Sequence, residues 1–167
     1  MKIKTDFISN SSSSTFVVVF DKPIKKFSDV EHIIPREDKA RQVLKDALSK
    51  RPKKIKLTKS LVANIAEELT HGFAGVGYLD YQNEFCKREG IDSNDLYHTR
   101  TWMTAFYDEY HRVNMKICTE KAADFLTENE GKYLYIFNYA DEDGEFMSEM
   151  EHGFTFANVP HITISKH

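Results

Sequence analysis

The amino-acid pattern predicts an α+β protein, with one mixed or antiparallel sheet containing the N- and C-terminal strands and four or five helices inserted between them. Three observations carry that prediction. Phe16–Phe20 is apolar at every position, the pattern of a strand buried on both faces. A second β pattern, with Tyr133, Tyr135, Phe137 and Tyr139 on one face and Leu134 and Ile136 on the other, comes only after residue 130, and Ile162 and Ile164 alternate with polar residues at the very end. The long interval between these strands repeats its apolar residues every three or four positions.

Taken in order, the first strand stops at Asp21-Lys-Pro23. From Pro35, suited to a first helical turn, Ala40, Val43, Leu44, Ala47 and Leu48 mark one helical face, and the helix ends before Pro52. Ile55 and Leu57 alternate with Lys54 and Lys56, as in a strand whose edge is guarded by lysines. Thr58 is placed to cap a second helix burying Leu61, Val62, Ile65, Ala66 and Leu69, with Gly72 beyond its last turn. Gly72, Gly75 and Gly77 lack the order and the preceding strand that a dinucleotide-binding loop needs, so they read as a helix stop and a turn. A short helix spans Tyr78–Glu89 and ends at Gly90.

Asp92 and Asp95 form a cap and first turn, after which Trp102, Phe106, Tyr110 and Val113 make one stripe beside Met103 and Tyr107. The pattern leaves open whether the helical stretch 93–128 is continuous. Asn129 and Gly131 end it. The alternating pattern from Tyr133 predicts a central strand covered on both faces, everything after it reads as β, and Asp141-Glu-Asp-Gly144 reads as a turn.

The chain has 167 residues, 41% apolar and 13% aromatic, enough for one hydrophobic core, and one domain covering 1–167 is expected. Cys86 and Cys118 have no metal-finger or disulfide-framework spacing; they read as buried thiols in a reducing cytoplasm. No stretch has the form of a signal peptide or approaches the ~20 apolar residues of a membrane span, so no membrane partner is expected. Lys50, Arg51, Lys53, Lys54, Lys56 and Lys59 cluster, and Asp141, Glu142, Asp143, Glu145, Glu149 and Glu151 form an acidic tract. The alternation within the basic cluster favours a solvated strand edge over a nucleic-acid contact.

The two ends hold the remaining signals. The opening reads Phe7-Ile-Ser-Asn-Ser-Ser-Ser-Ser-Thr-Phe16, and the close contains Glu151-His152-Gly153 and Pro160-His161-Ile162. The opening resembles the Phe-Val-Thr-Asn-Ser-Ser-Ser-Ser-Ser-Phe start of a group of short, functionally uncharacterised bacterial and tailed-phage proteins, with Ser9 where that group has Thr, and the closing signals look like that group's close. The resemblance implies a bacterial or phage setting and no mechanism.

On the last strand His161, Thr163, Ser165 and His167 point one way, successive members about 6.5–7 Å apart. His and Thr two apart on a strand is the arrangement two-histidine phosphoesterases use twice; here it occurs once, and no second His-x-Thr or His-x-Ser exists. In an enzymatic reading His161 is the general acid or base and Thr163 positions an oxygen. Asn10, Ser11, Ser12 and Ser13, in a tract that is either an ordered or a mobile loop, can wrap an anion, a peptide or a polar face of the protein itself, and together with His152 and Ser165 they are the candidate ligand-binding residues. Asp141, Asp143 and Glu151, with His152 nearby, are the candidate ligands of a divalent cation. An EF-hand is excluded, because setting Gly144 at the loop's sixth position puts Tyr139 first and Met150 twelfth. No nucleophile triad, phosphate loop or zinc spacing is present. Two functions follow: an accessory or binding protein acting on another protein or a small anionic ligand, or a small phosphoesterase or metal-assisted hydrolase using His161 and the acidic turn.

Overall fold

The computed structural model describes residues 13–71, 76–140 and 144–165, with only the backbone of His71 and Glu151. It is α+β, as the pattern predicts. The elements run β1 (Ser13–Phe20), α1 (Glu37–Ser49), β2 (Lys53–Lys54), α2 (Lys59–His71), α3 (Tyr78–Glu89), α4 (Ser93–His98), α5 (Arg100–Glu128), β3 (Tyr133–Ala140), α6 (Glu145–His152) and β4 (His161–Ser165), with a 3-10 turn at Phe27–Asp29. The strand order is β2-β3-β1-β4 and the pairing is antiparallel, so the N- and C-terminal strands are direct neighbours. Contacts gather in two compact units, Met1–Pro52 with Tyr135–His167 and Lys53–Leu134.

In the first unit β1 is buried along its length from Ser14 to Phe20. Phe16 and Phe20 meet Tyr139 and Tyr135 of β3, with ring centroids 5.9 and 5.6 Å apart, and Phe156 packs against both Phe16 and Phe137 at 5.2 Å. This aromatic layer is one face of the sheet. Helix α1 lies over it through Ala40, Val43 and Ala47, and Tyr139 donates its hydroxyl hydrogen to the Asp46 carboxylate at 3.2 Å. Burial and the Asp46 charge both push the Tyr139 phenol well above its ordinary value.

Several expectations need correction here. Helix α1 starts at Glu37, with Arg36 in extended conformation as its N-cap, so Pro35 precedes the helix and does not begin it. Leu48 is exposed because the buried line through Ala40, Val43 and Ala47 leaves it a full 100° off. β3 is central, and its Tyr135, Phe137, Tyr139 face is closed; on the other face Leu134 is buried as expected but Ile136 and Asn138 are exposed, so that face is covered only at its start. The segment after residue 144 is a helix rather than β. Phe146, Met147 and Met150 recur at helical spacing, Met150 is fully buried, and Gly144 at φ 111 supplies a left-handed start that a side chain would resist.

In the second unit β2 is a two-residue edge strand of lysines pairing Lys53 with Leu134 and Lys54 with Tyr133. Ile55 is buried, while Leu57 is 45% exposed because the chain has already left strand geometry to reach the cap of α2. Thr58 makes that cap: its hydroxyl accepts from the Leu61 amide at 3.2 Å, and Ile65, Ala66 and Leu69 face inward. α3 occupies Tyr78–Glu89 as read from the pattern, ended by Gly90 at φ 66.

The stretch 93–128 is not one helix. It breaks at Thr99, whose backbone is extended (φ −116, ψ 111), and then runs unbroken for 29 residues through Thr119. The break has a packing reason. Leu96 and Phe106 both enter one cluster with Tyr81, Phe85, Cys86 and Tyr110, whereas on a straight helix they would lie ~15 Å apart along the axis. Along α5 the buried residues Phe106, Tyr110, Asn114, Cys118, Ala122 and Leu126 are four apart, so the buried line drifts about 40° per step around the helix. Cys86 and Cys118 are buried free thiols, and burial raises the Cys118 pKa. Among the described residues no helix is long and apolar enough to cross a membrane.

The turn before α1 is held by the buried Asp29 carboxylate, which accepts from the amides of Lys25 (2.9 Å) and Lys26 (3.1 Å) and pairs with Lys22 at 3.0 Å. The Lys25 amide first, and the Lys22 ammonium next, hold its pKa down to about 2 from 3.8. The folded value lies below the unfolded one, so this contribution to stability is present above about pH 4 and is lost as pH falls toward 2. Asp29→Asn is expected to lower the thermal midpoint at pH 7 and to flatten its fall between pH 4 and pH 2, read by circular dichroism melts across that range.

Candidate functional site

The β1–β4 ladder sets the site. Its register pairs Ser14 with Ser165, Phe16 with Thr163 and Val18 with His161. Directly opposed residues of an antiparallel pair share a face, with Cβ atoms about 4.5–5.5 Å apart, so the polar row of β4 stands beside Ser14 and Phe16 on the aromatic face of the sheet. The intervening residues Ile162 and Ile164, opposite Val17 and Thr15, turn the other way.

Here the sheet and the α6–β4 connection enclose a cleft of about 250 Å³. Ser14 and Phe16 come from β1, His161, Thr163 and Ser165 from β4, His152 from the end of α6, and Phe154, Thr155 and Phe156 from the connection. Two imidazoles and four hydroxyl groups therefore share one space with three phenyl rings. None of the described residues lining it carries a carboxylate.

His161 is held in place. Its Nδ1 lies 2.9 Å from the Val159 carbonyl oxygen, which can only accept, so Nδ1 carries a proton and Nε2 is the atom that can take a proton or a ligand. The Phe156 ring lies 6.5 Å away from the imidazole, centroid to centroid. Thr155 is buried and donates its hydroxyl hydrogen to the Met150 carbonyl at 3.2 Å, and the Val19 amide bonds the Pro160 carbonyl at 2.9 Å, fixing the chain just before β4.

His152 reaches the cleft because the end of α6 is clamped from α1. Lys39, only 4% exposed, sends its ammonium to the carbonyls of Glu149 (2.7 Å) and Gly153 (3.3 Å), the cation at a helix C-terminus that the helix dipole favours. Burial, with Arg36 adding repulsion, lowers the Lys39 pKa against the pull of Glu149 and Asp38. Arg36 joins α6 to the start of α1 by pairing with both Glu149 and Asp38.

The structure thus brings together His152, His161, Thr163 and Ser165 of the residues singled out from sequence. Ser13 is one residue out of phase with the cleft and faces the other side with Thr15, whose hydroxyl bonds Asn138 at 2.8 Å; Ser14 takes its place. Asn10, Ser11, Ser12, Asp141, Asp143 and His167 lie outside the described residues, and Glu151 is placed in α6 by its backbone alone. Among the described residues no group of three or more His, Cys, Asp or Glu is placed to hold a metal ion.

A larger groove of about 810 Å³ lies between α2 and α5, lined by Leu57, Val62, Ala63, Met115 and Ala123 with Lys59, Glu67 and His111. Volume alone favours that groove. Its wall is largely aliphatic, however, and the convergent hydrogen-bonding groups are in the smaller cleft. No protein-family model, no curated protein and no solved structure matches the chain.

The clamp gives a direct test. A Cβ added at Gly153 would collide with the Lys39 ammonium and with the Glu149 carbonyl oxygen, the second a backbone atom that cannot swing aside. Gly153→Ala is expected to destabilise the protein by about 1–3 kcal/mol, measured by urea unfolding, and to raise proteolytic cutting within 144–153.

Proposed function

We propose that this protein is a binding protein whose cleft over β1 and β4 takes a small anionic ligand, a phosphate-type oxyanion foremost. One observation carries the reading: Ser14, Thr163 and Ser165, two imidazoles and Thr155 line one space in which no described residue supplies a carboxylate. The Thr163 and Ser165 hydroxyls can donate to an oxyanion, and His161 does so from Nε2 once it takes up a proton, its Nδ1–H being held by Val159; groups already fixed on a sheet lose little freedom when an anion arrives. An accessory role in a bacterium or phage is the setting that the resemblance of the two ends implies.

A second reading is favoured by His152. The sequence carries the His-x-Thr pattern once, but the cleft supplies a second imidazole from α6, which gives a phosphoester hydrolase both its general base and its general acid. In that scheme His161 Nε2 acts on the attacking group, His152 protonates the leaving oxygen, and Thr163 and Ser165 hold the phosphoryl oxygens.

Calorimetric titration with inorganic phosphate and assay of p-nitrophenyl phosphate hydrolysis separate the two. Saturable binding without turnover, weakened roughly 10–100-fold in Thr163→Val through loss of one hydrogen bond to a charged group, fits the binding reading. Turnover abolished in both His161→Ala and His152→Ala replaces it with the enzymatic one. Absence of both binding and turnover overturns both.

A further inference from the structure

We infer that the anion entering this cleft is carried on a flat aromatic ring, as in a nucleotide or an aryl phosphate, and that Phe154 is the platform on which the ring stacks. The inference rests on the anion-binding reading above and deepens it. Phe154 is the one non-glycine residue with positive φ among the described residues, at φ 53, and its side chain is 86% exposed. A bulky residue resists this conformation, and it persists only where the surroundings impose it.

Here they do. The carbonyl of Gly153 accepts from the buried Lys39, Thr155 is tied to the Met150 carbonyl, and the Ala157 amide closes onto the Phe154 carbonyl at 3.1 Å. Glycine would make the same turn without strain. The turn therefore needs no ring, and the core does not use one, since the ring stands in solvent at the lip of the cleft.

The size of the cleft points the same way. At about 250 Å³ it falls below the ~300–1,000 Å³ of pockets that enclose a whole organic ligand. A phosphate-sized head fits inside, and whatever it is attached to emerges where the cleft opens to solvent, along the exposed lining residues His152, Phe154 and Thr163, of which Phe154 alone offers an aromatic ring with no hydrogen-bonding group. An exposed, backbone-fixed phenyl ring beside fixed oxyanion donors matches the way proteins take a base by stacking while polar groups take its phosphate.

The test compares inorganic phosphate, ribose 5-phosphate and adenosine monophosphate by calorimetric titration on the full chain, wild type and Phe154→Ala. Adenosine monophosphate is expected to bind the wild type roughly tenfold or more tightly than ribose 5-phosphate, in keeping with the stacking of one base on one aromatic side chain. In Phe154→Ala that preference should vanish while the affinity for inorganic phosphate stays within twofold. Phe154→Gly should lose the preference equally and melt at a higher temperature than Phe154→Ala, because it relieves the left-handed backbone. Equal affinity for the two esters, or a preference that survives Phe154→Ala, overturns the ring platform and leaves the anion reading standing. Failure of all three ligands to bind the wild type overturns both.

Discussion

The register of β1 against β4 is the constraint on which the rest of the candidate site depends. Side chains of a strand alternate faces, so a slip of one residue would turn His161, Thr163 and Ser165 away from the cleft and bring Ile162 and Ile164 into it. What prevents the slip lies on the opposite face. Ile164 is fully buried there, as is Val17 opposite Ile162, and putting Thr163 and Ser165 where Ile162 and Ile164 now stand would strip up to about 1.5–3 kcal/mol of burial from a fully buried side chain such as Ile164 and leave hydroxyls without water. Apolar burial on one side of the sheet thus selects the polar row on the other, and the site follows from the core.

Much of this was legible because the chain is strongly punctuated. Thr58 and Gly90 mark helix ends by specific chemistry, a hydroxyl accepting a first-turn amide and a residue free to take positive φ, and the boundaries read from them match the structure. The run Phe16–Phe20 was legible for a different reason, since five consecutive apolar residues leave no face for solvent. What escaped the pattern depends on tertiary packing. The break at Thr99 has no proline or glycine to announce it and exists so that Leu96 can join the cluster around Phe106. Ile136 looks like a buried strand residue and is exposed, because side-chain alternation says which residues share a face but not whether that face is covered.

The site divides along the same line. His161, Thr163 and Ser165 could be aligned from a period of two alone. His152 could be noticed as a histidine beside an acidic tract, but its partnership with His161 rests on α6, whose signal, Phe146, Met147 and Met150 between Gly144 and Gly153, competes with the turn chemistry of the residues before it. Lys39 gave no signal. A lysine in the first turn of an amphipathic helix normally points to water, and only the arrival of the α6 carbonyls from 110 residues away turns it into a buried helix-end cation.

The functional weight therefore falls on how firmly a few groups are held, more than on how many there are. A ligand gains less from a donor that must be immobilised on binding than from one immobilised by folding, because ordering a free side chain offsets about 0.5–1.5 kcal/mol of the interaction. His161 is anchored by the Val159 carbonyl with the Phe156 ring nearby, and the hydroxyls of β4 ride on a ladder whose partner strand is buried from Ser14 to Phe20. The connection carrying Thr155 is tied back to α6, and the end of α6 to Lys39. The pinned elements converge on the 250 Å³ cleft and leave the phenyl ring of Phe154 exposed beside it, the arrangement that the proposed ligand would need: polar groups held by the fold and one contact left to be made on binding.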